Sequence, residues 1–208
     1  MSDVKTPTRR DRAEQTRRRI LRSAHEEFCA VGYHGATMAA IAKRAGVAVQ
    51  TVYFVFHTKT QLFTDAFDAA VLGDDATPPN ATSWFAEATT GVDLRSSVAA
   101  FTAGNGAIQA RIARLYDVAR SASLTDPDIE RMWAERERLR RDGYGDFVQS
   151  LADRGGLRPD LDVVTATDVA LTILGPANYL ALVYDCGWSH ERYLEWIADA
   201  AAALLLEP

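Results

Sequence analysis

Residues 37–59, TMAAIAKRAGVAVQTVYFVFHTK, decide the fold, because they read as two short helices joined by a tight turn. Thr37 brings a hydroxyl that can accept from the free amides opening a helix. Ile41, Ala42 and Ala45 then fall on one face at helical spacing. Gly46 stands where the corner needs a residue that tolerates positive φ. Val47 fills the angle, and Val52 and Phe56 give the second helix an apolar edge. A small residue where the helices cross, a glycine in the turn and a β-branched anchor beyond it are the packing needs of a helix-turn-helix, whose second helix enters the DNA major groove.

The outer face of that second helix keeps Val49, Gln50, Thr51, Tyr53 and Phe54. They offer an amide for adenine edges, a hydroxyl, a phenol and apolar surface for thymine methyls. Thr37, Lys43, Thr51, His57 and Lys59 are placed to hold the phosphate backbone. The same stretch could also form a plain two-helix corner, with Tyr53 and Phe54 as packing residues, so the context must decide.

Charge is the first part of that context. Residues 1–59 hold 11 Lys and Arg against 5 Asp and Glu, whereas residues 60–208 hold 12 against 23. A basic head on an acidic body suits a protein that offers one end to nucleic acid. Apolar residues make up 48% of the chain, and its mean hydropathy of −0.14 fits a soluble globular protein. No uninterrupted apolar run approaches the ~18 residues that a bilayer span needs, and the basic N-terminus lacks the apolar core of a secretory leader. A cytoplasmic protein with no membrane partner is expected. Cys29 and Cys186 lie in helical patterns without metal-ligand spacing and read as buried free thiols. Neither a metal nor a cofactor is expected.

Along the chain, residues 1–10 read as a disordered basic arm, with Arg9, Arg10 and Arg12 available to DNA. A helix from about Asp11 to Val31 follows, with Ile20, Leu21, Ala24, Phe28 and Val31 on one face and Gly32 as its C-cap. Thr58 and Gln61 form a capping box that opens a fourth helix, with Leu62, Phe63, Ala66 and Phe67 on its apolar face. GDDATPPNATS, residues 73–83, marks a domain boundary. Beyond it, Asp93 caps a helix to about Ile108, with a continuation or a second helix to Ser121. Asp126-Pro127 opens a long helix ending near Gly155. Asp160 or Asp162 opens one that kinks at Gly175-Pro176 and runs to about Tyr184, and Ser189 opens the last. The expected class is all-α, with about nine helices.

From about Arg10 to Leu72 the chain resembles the DNA-binding domain of the TetR (tetracycline repressor) family of transcription regulators. AGV, then TVYFVF, then TKTQLF match that family's Gly-Val, Thr-Leu-Tyr-x-x-Phe and Ser-Lys-x-x-Leu landmarks. Val55 departs from the family's usual polar or aromatic residue. Ala48 and Val49 replace a frequent serine and polar residue, which leaves the recognition helix without its usual cap. The resemblance implies a helix-turn-helix domain over residues 10–72 and a helical effector-binding and dimerisation domain over 73–208. It also implies a homodimer on a near-palindromic double-stranded operator, a repressor role, and a small-molecule effector that swings the fourth helix. Dimerisation would use the last two helices, with Val169, Ile173 and Leu180 on one and Tyr193, Trp196, Ile197, Ala200 and Leu204 on the other. Polar or aromatic residues that interrupt apolar faces are the effector-pocket candidates: Phe101, Asn105, Gln109, Tyr116, Trp133, Arg136, Tyr144, Asn178 and Tyr179.

An enzyme is not expected. The four histidines are scattered, and neither a Gly-rich phosphate loop nor a Gly-x-Ser-x-Gly elbow is present. The competing reading is a helical ligand-binding or protein-interaction module that binds DNA weakly or not at all.

Overall fold

Hydroxyl and carboxylate side chains set most helix starts in the computed structural model, which describes residues 8–207. Thr37, Thr58, Thr82, Asp93, Asp126, Asp162 and Ser189 each accept from an amide of the helix that follows. The described residues form nine helices: α1 Arg9–Gly35, α2 Met38–Ala45, α3 Val49–Phe56, α4 Lys59–Leu72, α5 Ser83–Thr90, α6 Leu94–Ser123, α7 Pro127–Asp153, α8 Val163–Asp185 and α9 His190–Leu205. There is no strand among them, only an isolated antiparallel bridge between Leu157 and Leu206.

Several local expectations are corrected. Helix α1 starts at Arg9 rather than near Asp11, because Thr8 and Asp11 form a reciprocal capping box. Arg9, Arg10 and Arg12 are therefore helical, and residues 1–7 of the expected arm lie outside the described residues. At the other end of α1, Gly32 breaks the helix at φ +75°. The turn leaves Val31 half exposed and puts Tyr33 in the core instead. Only half of the Thr58 capping box forms, since Gln61 Nε2 donates to Asp65 Oδ1 at 2.6 Å. Cys186 is exposed and Cys29 half-buried, both as free thiols. Helix α5 had no counterpart in the sequence reading.

Two apolar cores are joined by long helices. The first gathers Ile20, Phe28, Ile41, Val52, Phe56, Leu62 and Phe63 from α1 to α4, and it continues into Leu115 and Ala119 of α6 and Ile129 of α7. The second gathers Phe85, Phe101, Phe147, Leu151, Ala170, Tyr193 and Ile197. Helix α6 contributes to both, with Phe101 in the second core and Leu115 in the first.

Helix α8 meets the length and composition of a membrane span, but it is 44% buried among its neighbours and broken at Pro176. The break leaves the last carbonyls of its first arm without helical partners. Side chains take them all. Arg140 Nη1 donates to Leu171 O at 3.3 Å, and Asn178 Nδ2 donates to Thr172 O and Ile173 O at 3.1 and 2.9 Å. Leu174 O receives Asn105 Nδ2 and the Tyr144 hydroxyl, both at 2.9 Å. Asn178 is thus a capping residue of the kink.

Candidate nucleic-acid interface and interior cavity

Helices α2 and α3 meet at a 110° bend, inside the range of a helix-turn-helix. Gly46 makes the corner at φ 63°, and its amide donates back to Ala42 O and Lys43 O. Val52 and Phe56 are fully buried beneath the unit, while Tyr53 and Phe54 stand 51% and 83% exposed. Gln50 is exposed beside them, with Val49 and Thr51 partly so. Helix α3 opens at Ala48 with no side-chain cap.

Lys43 on α2 is exposed, as are Arg19 and Arg22 on α1. The Thr37 hydroxyl accepts from Ala40 N at 3.1 Å as the N-cap of α2. His57 closes α3 with φ 58° and ψ −54°, and Thr58 N donates to Phe56 O across it. That is a γ-turn of the rare positive-φ kind. It fixes the angle between α3 and α4.

Lys59 is placed otherwise than its expected phosphate role requires. Its ammonium donates to Tyr33 O at 2.9 Å and Ala36 O at 3.4 Å, over the Tyr33 ring. A cation on the free carbonyls at the end of α1 is well placed electrostatically, and the Tyr33 hydroxyl meets Thr60 Oγ1 at 2.9 Å beside it. Lys59 therefore ties α1 to α4.

Between the two cores lies a cavity of about 650 Å³. Phe67, Asp68, Val71 and Leu72 of α4 form one wall, Trp84 and Phe85 of α5 another, and α6 and α7 the rest. Of the sequence candidates, Phe101, Asn105, Gln109, Tyr116, Arg136 and Tyr144 line it. Trp133 packs behind Tyr116 with ring centroids 4.5 Å apart. Tyr179 turns into the second core, where its hydroxyl meets His190 Nδ1 at 3.0 Å. Trp84 and Phe85 were missed, although Thr82 as N-cap and the spacing of Phe85 and Ala88 mark a short helix there. Gly104 makes the Trp84 position possible, since a Cβ on it would lie 2.0 Å from the indole.

Asn105, Gln109 and Tyr144 form a buried network on the cavity wall. Tyr144 OH reaches Asn105 Oδ1 at 2.9 Å, and Gln109 Nε2 donates to the same oxygen at 3.0 Å. Burial pushes the Tyr144 phenol up to about 12, and burial does the same to Tyr116. Near the mouth, Arg136 grips Asp68 of α4 through Nε at 2.9 Å and Nη2 at 2.5 Å. Arg140 pairs with Glu137 at 2.7 Å. Burial acts to lower the Arg140 pKa, but Glu137 and the two tyrosines outweigh it and hold the guanidinium above its ordinary range.

The expected dimer stripe divides. Tyr193 and Ile197 are each 1% exposed and close the chain's own second core, which corrects their assignment to a partner surface. Trp196 and Leu204 of α9 face outward at 45% and 40%, with Ala200 partly exposed. Val169, Ile173 and Leu180 of α8 are half-buried.

A helix-turn-helix head on an all-helical body, with a cavity between the two cores, is the architecture these residues build. Residues 20–66 match the family described as bacterial regulatory proteins, tetR family, and the chain carries that family's DNA-binding domain on a TetR-like fold. A TetR-family regulator from Mesorhizobium loti is 22% identical, with 94% of this chain and 99% of that one covered at a TM-score of 0.66. NalD, the secondary repressor of the MexAB-OprM multidrug efflux pump in Pseudomonas aeruginosa, is 20% identical over 95% and 98% at 0.69. A protein from Saccharomonospora viridis, described as a transcriptional regulator and solved with choline, is 18% identical over 94% and 100% at 0.70. At such identities the likeness is one of fold. No curated protein matches the chain.

Proposed function

We propose that the protein is a homodimeric, non-enzymatic transcriptional repressor of the cytoplasm that binds a near-palindromic operator and is released by a small molecule in the cavity. One observation carries this reading: α4 belongs to both sites. Its first turn is tied to α1 by Lys59 and to α3 by the turn at His57, and its last two turns form a cavity wall. An occupant pressing on Phe67 and Val71 tilts α4 and changes the separation of two recognition helices, which must match whole turns of DNA. The repressor NalD and the choline-bound protein from S. viridis, alike in fold, are in keeping with both halves of the reading.

In this reading Gln50, Tyr53 and Phe54 face bases and sugars, with Val49 beside them. Thr37, Lys43, Thr51 and His57 hold phosphates, and Lys59 keeps the head assembled. The dimer forms through the outward faces of α8 and α9, with Trp196, Ala200 and Leu204 against their symmetry mates. The residue ranges 10–72 and 73–208 are taken as the two working units.

Fluorescence anisotropy with the duplex upstream of the protein's own gene tests this, at two salt concentrations. Wild type should bind tightly and with sequence dependence. Tyr53→Ala should lose at least about tenfold, and Lys43→Ala should make the salt slope shallower by about one. Binding that ignores sequence and is unchanged in Tyr53→Ala defeats the reading, as does a monomer by light scattering at micromolar concentration.

A further inference from the structure

The wall network leaves one atom without a partner. Asn105 must present its Nδ2 to Leu174 O, because that carbonyl is freed by the Pro176 break, and its Oδ1 therefore faces Gln109. Gln109 must in turn point its NH2 at Asn105. A flipped amide would set oxygen against oxygen. The single Tyr144 proton is shared between Asn105 Oδ1 and Leu174 O. Gln109 Nε2 also lies 3.5 Å from the Tyr144 hydroxyl. None of these groups turns a donor to Gln109 Oε1, which is left buried with no hydrogen bond on a residue 1% exposed. Folded proteins seldom leave such an acceptor unmet.

The charges around the cavity are spoken for in a way that bears on the same question. Arg136 is held by Asp68, and Arg140 by Glu137 and Leu171 O. The lining holds Asp68, Glu137, Asp142 and Asp146 against those two arginines, and Asp142 pairs with Arg138 at 2.8 Å, so no cation of the lining is left for an anion. The remaining walls are mostly apolar and mix aliphatic side chains with aromatic ones, among them Trp84, which stands edge-on to Phe101 at 5.9 Å.

Resting on the effector reading of this cavity, we infer that its occupant is a ring-bearing, non-anionic molecule that donates a hydroxyl or N–H hydrogen bond to Gln109 Oε1. Gln109 lines the cavity, and the terminal amide torsion of glutamine is broad, so its oxygen can turn toward a donor there. An ether or ester in the donor's place sets a second acceptor against Oε1. A carboxylate sets a further acceptor against Oε1 and finds no unengaged guanidinium in the lining.

The test is calorimetry on the full chain without DNA, using trans-4-hydroxystilbene, its methyl ether and stilbene-4-carboxylate. The phenol should bind at least about tenfold more tightly than the ether, and the carboxylate most weakly. Gln109→Met, similar in size but without the acceptor, should bring phenol and ether together. Should that variant fail to fold, the wild-type ratio decides alone. Equal binding of phenol and ether, a preference for the carboxylate, a ratio that survives in Gln109→Met, or no binding of any probe in the millimolar range overturns the inference. Selective binding of the phenol that leaves the DNA complex intact by anisotropy defeats release by an effector, while the ligand chemistry stands.

Discussion

The aromatic residues at the two ends of α4 are held by different rules. At the head, Phe54 is 83% and Tyr53 51% exposed, while Phe56, two positions on, is fully buried. Around the cavity the rings turn inward, with Phe101 only 2% exposed and stacked 3.9 Å from Phe147. Contiguous exposed apolar surface marks a site for a partner, whereas a concave cavity with a few convergent polar groups suits a small molecule. The head is also assembled from close neighbours in sequence, and the cavity from distant ones. Gly46 bonds back to Ala42 in its own turn, but Asn105 reaches across 69 positions to Leu174.

Phe56 and Phe54 break or sharpen this contrast most strongly. Phe56→Ala should cost about 3–5 kcal/mol by urea denaturation, because it opens a void beneath the helix-turn-helix. Phe54→Ala should change stability by less than about 0.5 kcal/mol and weaken DNA binding instead. If both destabilise alike, Phe54 is a packing residue and the head is an ordinary helical corner.

On the cavity side the comparable effect is alkaline. The Tyr144 phenol titrates near 12 when folded, above its ordinary value of 10.0. The folded state therefore holds that proton more tightly, and the benefit is complete below pH 10 and lost as pH rises through 12. Between those limits stability should fall by up to about 1.4 kcal/mol per pH unit from this group. Tyr144→Phe should flatten the decline, as read from denaturation midpoints at a series of alkaline pH values. Phe56→Ala should leave that slope in place, which keeps the two regions separable.

Much of the head was legible because its determinants are local. Thr37, Gly46 and the buried Ile41, Val52 and Phe56 lie where their spacing put them. Caps at Asp93 and Asp126 were equally plain, since each acts on amides within three residues. Asp160 and Asp162 stood as alternatives until the structure put the cap at Asp162. Periodicity tells which face of a helix is apolar, not what covers it. That is why Tyr193 and Ile197 read as partner-facing and lie in the chain's own core. Lys59 read as a phosphate contact for a similar reason: a lysine after a recognition helix looks free until the end of α1 is placed beside it. Trp84 escaped notice because the feature that admits it is an absence, the missing Cβ of Gly104 twenty positions away.

His57 offers a smaller test of opposite sign. Its positive φ is costly for a β-carbon, and strain of this kind gathers at functional sites. His57→Gly should raise stability by roughly 0.5–1 kcal/mol through relief of that strain, offset in part by unfolded-state entropy. It should also weaken DNA binding by removing the imidazole. A variant that gains stability and binds DNA as before would place His57 outside the interface.

The smallest effect on stability should come from the pair that joins the two regions. Arg136 and Asp68 link α7 to α4, but their side chains are 23% and 41% exposed, so water already screens them. Arg136→Ala should cost less than about 1 kcal/mol by denaturation. Its larger effect should be on coupling. With α4 no longer held to α7, the wall at Phe67 and Val71 moves without disturbing the distant end of α7, and the ligand concentration that releases DNA should change while affinity for the empty duplex stays near wild type. Asp68→Ala alone and with Arg136→Ala completes the cycle. Equal shifts in all three variants assign the effect to the ion pair. A shift confined to Arg136→Ala assigns it to the cavity lining that the guanidinium covers, and α4 would then be governed by packing rather than by charge.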